Sequence, residues 1–252
     1  MTGAPRVAVV TGGHARIGEA ISRTLAARGW RVLVHARHGV ARAEALDREL
    51  NPVPLGIWQA DLAEPEAALA SFEARLAVLD LPADAALALV HNASAFENDG
   101  RDDVTGARWH LHHALHYETP VRLTLAAARA FPRGQAVMLL DQNVENLHDQ
   151  FLSYCLSKGA MHAAMKRLAR VLAPFRVNAV APGPTLPLPQ ADQAAFEAAA
   201  RATPLQGAVE PAEVADAVAW LLEARRVTAQ TIFVDAGQHL VPWREPAAGL
   251  SG

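Results

Sequence analysis

The order of elements in this chain predicts one α/β domain built on a doubly wound, seven-stranded parallel sheet with helices on both faces. Three observations carry that expectation. Short apolar runs rich in β-branched residues alternate with longer stretches of helical period along the chain, the pattern left by crossover connections between parallel strands. The first of these runs ends in a glycine-containing turn, Thr11-Gly12-Gly13-His14-Ala15-Arg16-Ile17-Gly18, and a helix follows directly. No linker, repeat or low-complexity tract interrupts the alternation, so residues 1–252 read as a single domain with a short tail over 241–252.

Taken in order, residues 6–11 read as a short strand, 16–28 as a helix and 31–35, after Gly29, as the strand that closes a βαβ unit. The first turn of such a unit points backbone N–H groups and a helix N-terminus at a phosphate-bearing ligand; a purely structural turn is the alternative. A helix over 41–50, a strand over 55–58, a helix over 65–79, a strand over 86–90 and a long helix over 109–131 continue the series. A strand over 136–140, a helix over 152–172, a strand over 176–180, helices over 190–201 and 211–223 and a strand over 230–234 finish it. Between them, residues 181–189 carry Pro182, Pro184, Pro187 and Pro189 and cannot be helical throughout.

Composition narrows the classes of function. With 51% hydrophobic and 19% charged residues among 252, a sizeable core is available. The net charge of -3 offers no electrostatic footprint for nucleic acid or an acidic membrane. The one cysteine, Cys155, rules out an internal disulfide and fits a reducing compartment. The first apolar run, residues 7–10, is too short for a signal segment or a membrane span, so the expected location is the cytoplasm.

The chemistry gathers between residues 141 and 158. Tyr154 and Lys158 stand four apart on a predicted helix, so a lysine ammonium can lie near a phenol hydroxyl and favour loss of its proton. Asp141 follows the strand at 136–140, at the carboxyl edge where open α/β sheets place their ligands. The alternatives are an ordinary surface Tyr/Lys pair and an aspartate that only caps the next turn. His110, His112, His113 and His116 crowd one helix, and His112 with His116 has the spacing of a metal pair. No third ligand is evident, so no metal is expected there, and a solvated or interface face is the expectation.

The segments TGGHARIG (11–18), HNAS (91–94), YCLSK (154–158) and NAVAPG (178–183) together resemble the short-chain dehydrogenase/reductase family over nearly the whole chain. The resemblance implies a Rossmann-type NADP-binding domain. The family's usual catalytic serine lies thirteen positions before the tyrosine, and this chain has Asp141 there (154 − 13 = 141). With Arg16 replacing a usual glycine of the turn and Phe96 in HNASAF, the chain resembles the pteridine reductases and bacterial dihydromonapterin reductases within that family. That likeness implies Asp141, Tyr154 and Lys158 as catalytic residues. It implies a cofactor site of Gly12, His14, Arg16 and Ile17, of Asp61 (adenine side) and Leu62, of Asn92, Ala93 and Ser94, and of Pro182 and Gly183 with Tyr154 and Lys158. A pterin-like substrate would meet Arg16, Ser94, Phe96, Asp141 and Tyr154, with Phe96 stacked on one ring face and the nicotinamide on the other. Arg16 would bridge cofactor phosphate and the polar edge of the pterin.

Cofactor choice follows from the end of the second strand, where NAD enzymes place an acid. Here the chain reads Val34-His35-Ala36-Arg37-His38; Arg37 and His38 suit a 2′-phosphate, which favours NADPH. By the same resemblance, residues 181–189 form the loop over the substrate, VDAG at 234–237 lies at a subunit contact and the chain is a homotetramer. Glu118 is expected to replace a mid-helix asparagine that orders a proton-relay water, where it could hold a water or disturb Lys158. Three functions stay open: an NADPH-dependent pteridine reductase, a reductase of another carbonyl or imine such as a 3-oxoacyl thioester or ketone, and a weakly catalytic NADP-binding regulator or structural subunit. Asp141 and Phe96 favour the first over the second; Glu118 keeps the third alive.

Overall fold

Alternate residues of each strand face opposite sides of the sheet, and in this chain both sides are apolar. Val7 and Val9 of strand β1 (Arg6–Val10) join one core with Leu87 and Leu89 of β4 (Ala86–His91). Ala8 and Val10 join another core with Val32 and Val34 of β2 (Arg31–Ala36). A sheet buried on both faces must be covered by helices on both, and the computed structural model shows this arrangement. It describes residues 5–79, 81–82, 84–147, 150–187 and 192–241. The expected tail, apart from Val241, lies outside the described residues, as do Pro189 of the proline loop and Gln190 of the helix expected at 190–201.

The remaining strands are β3 (Trp58–Gln59), β5 (Gln135–Leu139), β6 (Arg176–Pro182) and β7 (Thr231–Val234). The seven are ordered β3-β2-β1-β4-β5-β6-β7, and every neighbouring pair is parallel. The helices are α1 (Arg16–Ala27), α2 (Val40–Leu50), α3 (Pro65–Val78), α4 (Gly106–His113), α5 (Thr119–Ala130), α6 (Leu152–Val171), α7 (Gln193–Arg201) and α8 (Pro211–Glu223). One core includes Phe72 of α3, Leu123 of α5 and Met165 of α6; the other includes Ile21 and Leu25 of α1, Leu46 of α2 and Leu221 of α8. The strand order reverses between β1 and β4, which opens a crevice at their carboxyl ends.

Three elements differ from expectation. The strand expected at 55–58 shrinks to Trp58–Gln59, because the N–H groups of Leu55 and Gly56 donate to the two carboxylate oxygens of buried Asp47 at 3.0 and 2.8 Å. The long helix expected at 109–131 begins at Gly106, capped by Thr105 Oγ1 accepting from Arg108 N. It passes through a π turn at Ala114–Glu118 before α5 starts on Thr119 and Pro120. The last difference is α7, which starts at Gln193 on an Asp192 cap.

Candidate active site

At the carboxyl end of β1, Thr11 Oγ1 accepts from the N–H groups of Asn92 and Ala93 at 2.8 and 2.9 Å. The Asn92 side-chain amide donates back to Thr11 O at 2.9 Å. These bonds lock the end of β4 to the glycine turn. Gly12 sits at φ +61, and a Cβ on Gly18 would run into Gly12 O and Asn92 Nδ2. The close approach of turn and helix therefore needs glycine at both places. Gly12 N also donates to His35 Nδ1 at 3.0 Å, while His35 Nε2–H donates to Ala60 O at 3.1 Å. Burial pushes the His35 imidazole down to about 4, which keeps Nδ1 free to accept. His35 is a supporting residue that sequence reasoning passed over, although it directly precedes the Ala36-Arg37-His38 stretch used for cofactor choice.

A cavity of about 390 Å³ opens against this turn, lined by Gly12, His14, Arg16, Ile17, Arg37, His38, Asp61, Leu62, Asn92, Ala93 and Ser94. All the cofactor positions expected on the first half of the chain thus come together. Arg37 forms an ion pair with Asp61 at 3.7 Å, both about half exposed. Arg16, in the position where the family has glycine, takes φ +54; this left-handed backbone accounts for the glycine preference. Its guanidinium donates to Leu186 O and Pro187 O, each at 3.1 Å, and so ties the proline loop to the nucleotide turn.

A second cavity, about 750 Å³, continues from the first past Arg16, Ile17, Asn92 and Ser94 and is lined by Phe96, Asp141, Phe151, Tyr154, Lys158, Pro182 and Gly183. Asp141 serves two purposes. Its Oδ1 caps the short turn Gln142–Val144 by accepting from Asn143 N at 2.9 Å, and its Oδ2 accepts the Tyr154 hydroxyl at 2.8 Å. Tyr154 is 4% exposed. Burial, then the Asp141 charge, holds its hydroxyl well above the ordinary phenol value, so it is a proton-bearing donor at neutral pH. The expected help from Lys158 in ionising Tyr154 is not found. Its Nζ donates to Leu139 O at 2.7 Å and sits 5.6 Å from the centre of the tyrosine ring, and burial pushes it down to about 8. Phe96 has one ring face stacked on Phe151 at 4.2 Å and meets Tyr154 edge-on at 4.7 Å, so Phe151 shares the aromatic wall expected of Phe96 alone.

Two further expectations are corrected. Glu118 pairs with Arg122 at 2.6 Å, and Arg122 also holds Glu66 at 3.0 Å; this places Glu118 at the surface and not against Lys158. The residue of this stretch that reaches the site is His116, whose Nε2 lies 3.0 Å from Ser94 Oγ. The histidines do not share one solvated face: His110 is exposed, but His112 is fully buried and His116 is 4% exposed. Among the described residues, no group of three or more His, Cys, Asp or Glu could hold a metal. No helix is long and apolar enough to cross a membrane among those residues.

A doubly wound sheet with a glycine cradle at its switch point, and a tyrosine, an aspartate and a lysine on the adjoining cavity, defines a Rossmann-type oxidoreductase. A family model described as "Enoyl-(Acyl carrier protein) reductase" matches residues 13–239, and the chain belongs to the short-chain dehydrogenase/reductase family. It is 32% identical over 246 residues to the uncharacterized oxidoreductase YmfI of Bacillus subtilis, covering 93% of this chain and 99% of that protein. It is 27% identical over 242 residues to a dihydromonapterin reductase of Klebsiella pneumoniae, covering 94% and 98%. Among solved structures it is similar to the FolM alternative dihydrofolate reductase 1 of Brucella canis complexed with NADP. There the TM-score is 0.86 and the identity 36%, covering 97% of this chain and 98% of that one.

Proposed function

We propose that this chain is an NADPH-dependent reductase of a pterin-type substrate such as a dihydromonapterin, dihydrobiopterin or dihydrofolate. The observation that carries this reading is the 2.8 Å bond from the Tyr154 hydroxyl to Asp141 Oδ2 beside the Phe96/Phe151 wall. The residues fit the cofactor. Gly12, Gly18 and the N-terminus of α1 line the cavity on the side suited to a pyrophosphate, and Arg37 with His38 lines the end suited to a 2′-phosphate. NADPH, when bound, supplies the hydride that goes to carbon of a ring C=N bond.

The protein's own groups then have separate tasks. Asp141 can accept from the amino and ring N–H groups of the heterocycle, which a serine hydroxyl does less well. Tyr154, protonated at neutral pH, gives its proton to the ring nitrogen. Lys158, anchored on Leu139 O, would hold the nicotinamide ribose. Phe96 supplies a stacking surface worth about 0.5 to 1.5 kcal/mol beyond area burial, enough to orient a ring without binding it alone. A carbonyl substrate would use the tyrosine but not the carboxylate, whose charge makes Tyr154 a weaker acid. The resemblance to proteins named dihydromonapterin reductase and alternative dihydrofolate reductase supports the same reading.

Following NADPH oxidation with dihydromonapterin, dihydrobiopterin, dihydrofolate, an acetoacetyl thioester and simple ketones tests the proposal. A reduced pterin or folate should turn over best. A ketone or thioester with the higher kcat/KM would overturn the substrate class.

A further inference from the structure

Two buried histidines face the ring of Tyr154 from one side. His112 and His116 stack on each other at 5.4 Å and both meet the tyrosine edge-on, at 5.9 and 5.2 Å. Each reaches a serine of α6 one turn from the next: His112 Nδ1 lies 2.7 Å from Ser153 Oγ and His116 Nδ1 lies 2.9 Å from Ser157 Oγ. The two serines bracket Tyr154 on α6, so the contacts form a two-rung ladder across the helix interface.

The hydrogen bonds around each rung leave one protonation state. Ala95 N–H can only donate, and it points at His116 Nε2 from 3.2 Å; that nitrogen must therefore carry a lone pair, and the ring proton sits on Nδ1. Nδ1–H then donates to Ser157 Oγ, which donates in turn to Tyr154 O at 2.6 Å. In the contact between Ser94 Oγ and the same Nε2, 3.0 Å apart, Ser94 is the donor, with Ala95 O at 3.4 Å as its other acceptor; Ser94 lines the cavity it shares with Tyr154. On the other rung, Ser153 Oγ donates to the Asp99 carboxylate, which also accepts from Ser153 N at 2.9 Å. Ser153 must accept from His112, whose proton is again on Nδ1; its Nε2 is buried with no hydrogen-bond partner among the described residues.

We propose that His112 and His116 are positioning residues: neutral imidazoles, both protonated at Nδ1, that fix the Tyr154 turn of α6 and orient the Ser94 hydroxyl for the reaction. This rests on Tyr154 as the proton donor. Protonating His116 would set an N–H against Ala95 N–H and reverse the Ser94 bond. Protonating His112 would bury an N–H with no acceptor in place, a cost borne by any buried polar group left unpaired. The titratable or charged groups facing His116 are Lys158 and Tyr154 of α6 and His112 of α4; those facing His112 are Asp99 and Glu97 of the loop after β4, Arg108 of α4, Lys158 and Tyr154 of α6, and His116. Burial holds both imidazoles below the ordinary histidine value, His116 well below it. The ladder is therefore intact at neutral pH and fails only in acid.

The test is ¹⁵N NMR of histidine side chains in the NADPH-bound wild-type protein, with pH profiles of wild type, His116→Gln and His116→Ala. Two non-titrating Nδ1–H tautomers should persist at pH 6, where exposed histidines are already partly charged. Glutamine can accept from Ala95 N–H and donate to Ser157 without titrating. His116→Gln should accordingly lower kcat about tenfold at neutral pH, flatten the acid limb and leave the KM for NADPH within about twofold; His116→Ala should lose about a hundredfold. An Nε2–H tautomer or an imidazolium assigned to His112 or His116 at pH 7 overturns the proposal even if no variant folds, as does an unchanged kcat and acid limb in a folded His116→Gln. Full turnover by Tyr154→Phe would instead remove the donor role of Tyr154, while the tautomer measurement still decides the ladder.

Discussion

Burial raises the cost of ionising Tyr154 and the Asp141 carboxylate raises it further, so the phenol keeps its proton at neutral pH, as the proposed donor role requires. Tyr154→Phe and Asp141→Ala should each lower kcat on the order of a hundredfold, with NADPH affinity nearly unchanged. Because the two share one hydrogen bond, the double variant should lose much less than the product of the single losses; steady-state kinetics on all three decides it, and full additivity would separate the two groups. Arg37 stands apart from this chemistry. Its exposed pair with Asp61 is weak enough to yield to a 2′-phosphate. Titration should therefore show NADPH bound at least about tenfold tighter than NADH, with the preference lost in Arg37→Ala. Equal affinities in the wild type would remove the role assigned to Arg37.

At the scale of elements, the sequence made most of the frame legible, because a sheet buried on both faces writes its strands as apolar runs and its helices as longer periodic stretches. Asp141, Tyr154 and Lys158 could be placed from spacing alone, since a strand end and one helical turn have fixed geometry. His116 could not. The family resemblance set Glu118 at the mid-helix asparagine position, but the helix passes through a π turn at Ala114–Glu118, where His116 is the residue that faces the site. The start of β3 differs because a buried side chain took over backbone donors that a longer strand would have used. Asp47→Ala tests that substitution of cap for ladder. It would orphan the N–H groups of Leu55 and Gly56, and urea unfolding should show a loss of about 2 to 3 kcal/mol; a loss under about 0.5 kcal/mol would mean that water replaces the cap.

Over the whole molecule, buried neutral histidines link stability to pH. His35 and His91 are pushed down to about 4 and about 3 by burial, against about 6.5 in an unfolded chain. Between those values the unfolded chain takes up protons that the folded protein refuses. Stability is thus complete above about pH 6.5 and falls as pH drops toward the folded values, by about 1.4 kcal/mol per pH unit for each histidine. Denaturant midpoints at pH 7 and 4.5 should differ by a stability on the order of 5 kcal/mol; equal midpoints would mean that these imidazoles are protonated in the folded state. On the proposed reading, Asp141 in place of the family's expected serine is what commits the cleft to a pterin-type substrate. The most direct measurement of that commitment is the ratio of kcat/KM for a dihydropterin to that for a ketone, in the wild type and in Asp141→Ser. The ratio should favour the pterin in the wild type and fall at least about tenfold in the variant. A ratio unchanged by the substitution, or pterin turnover improved by it, would contradict the role given to Asp141.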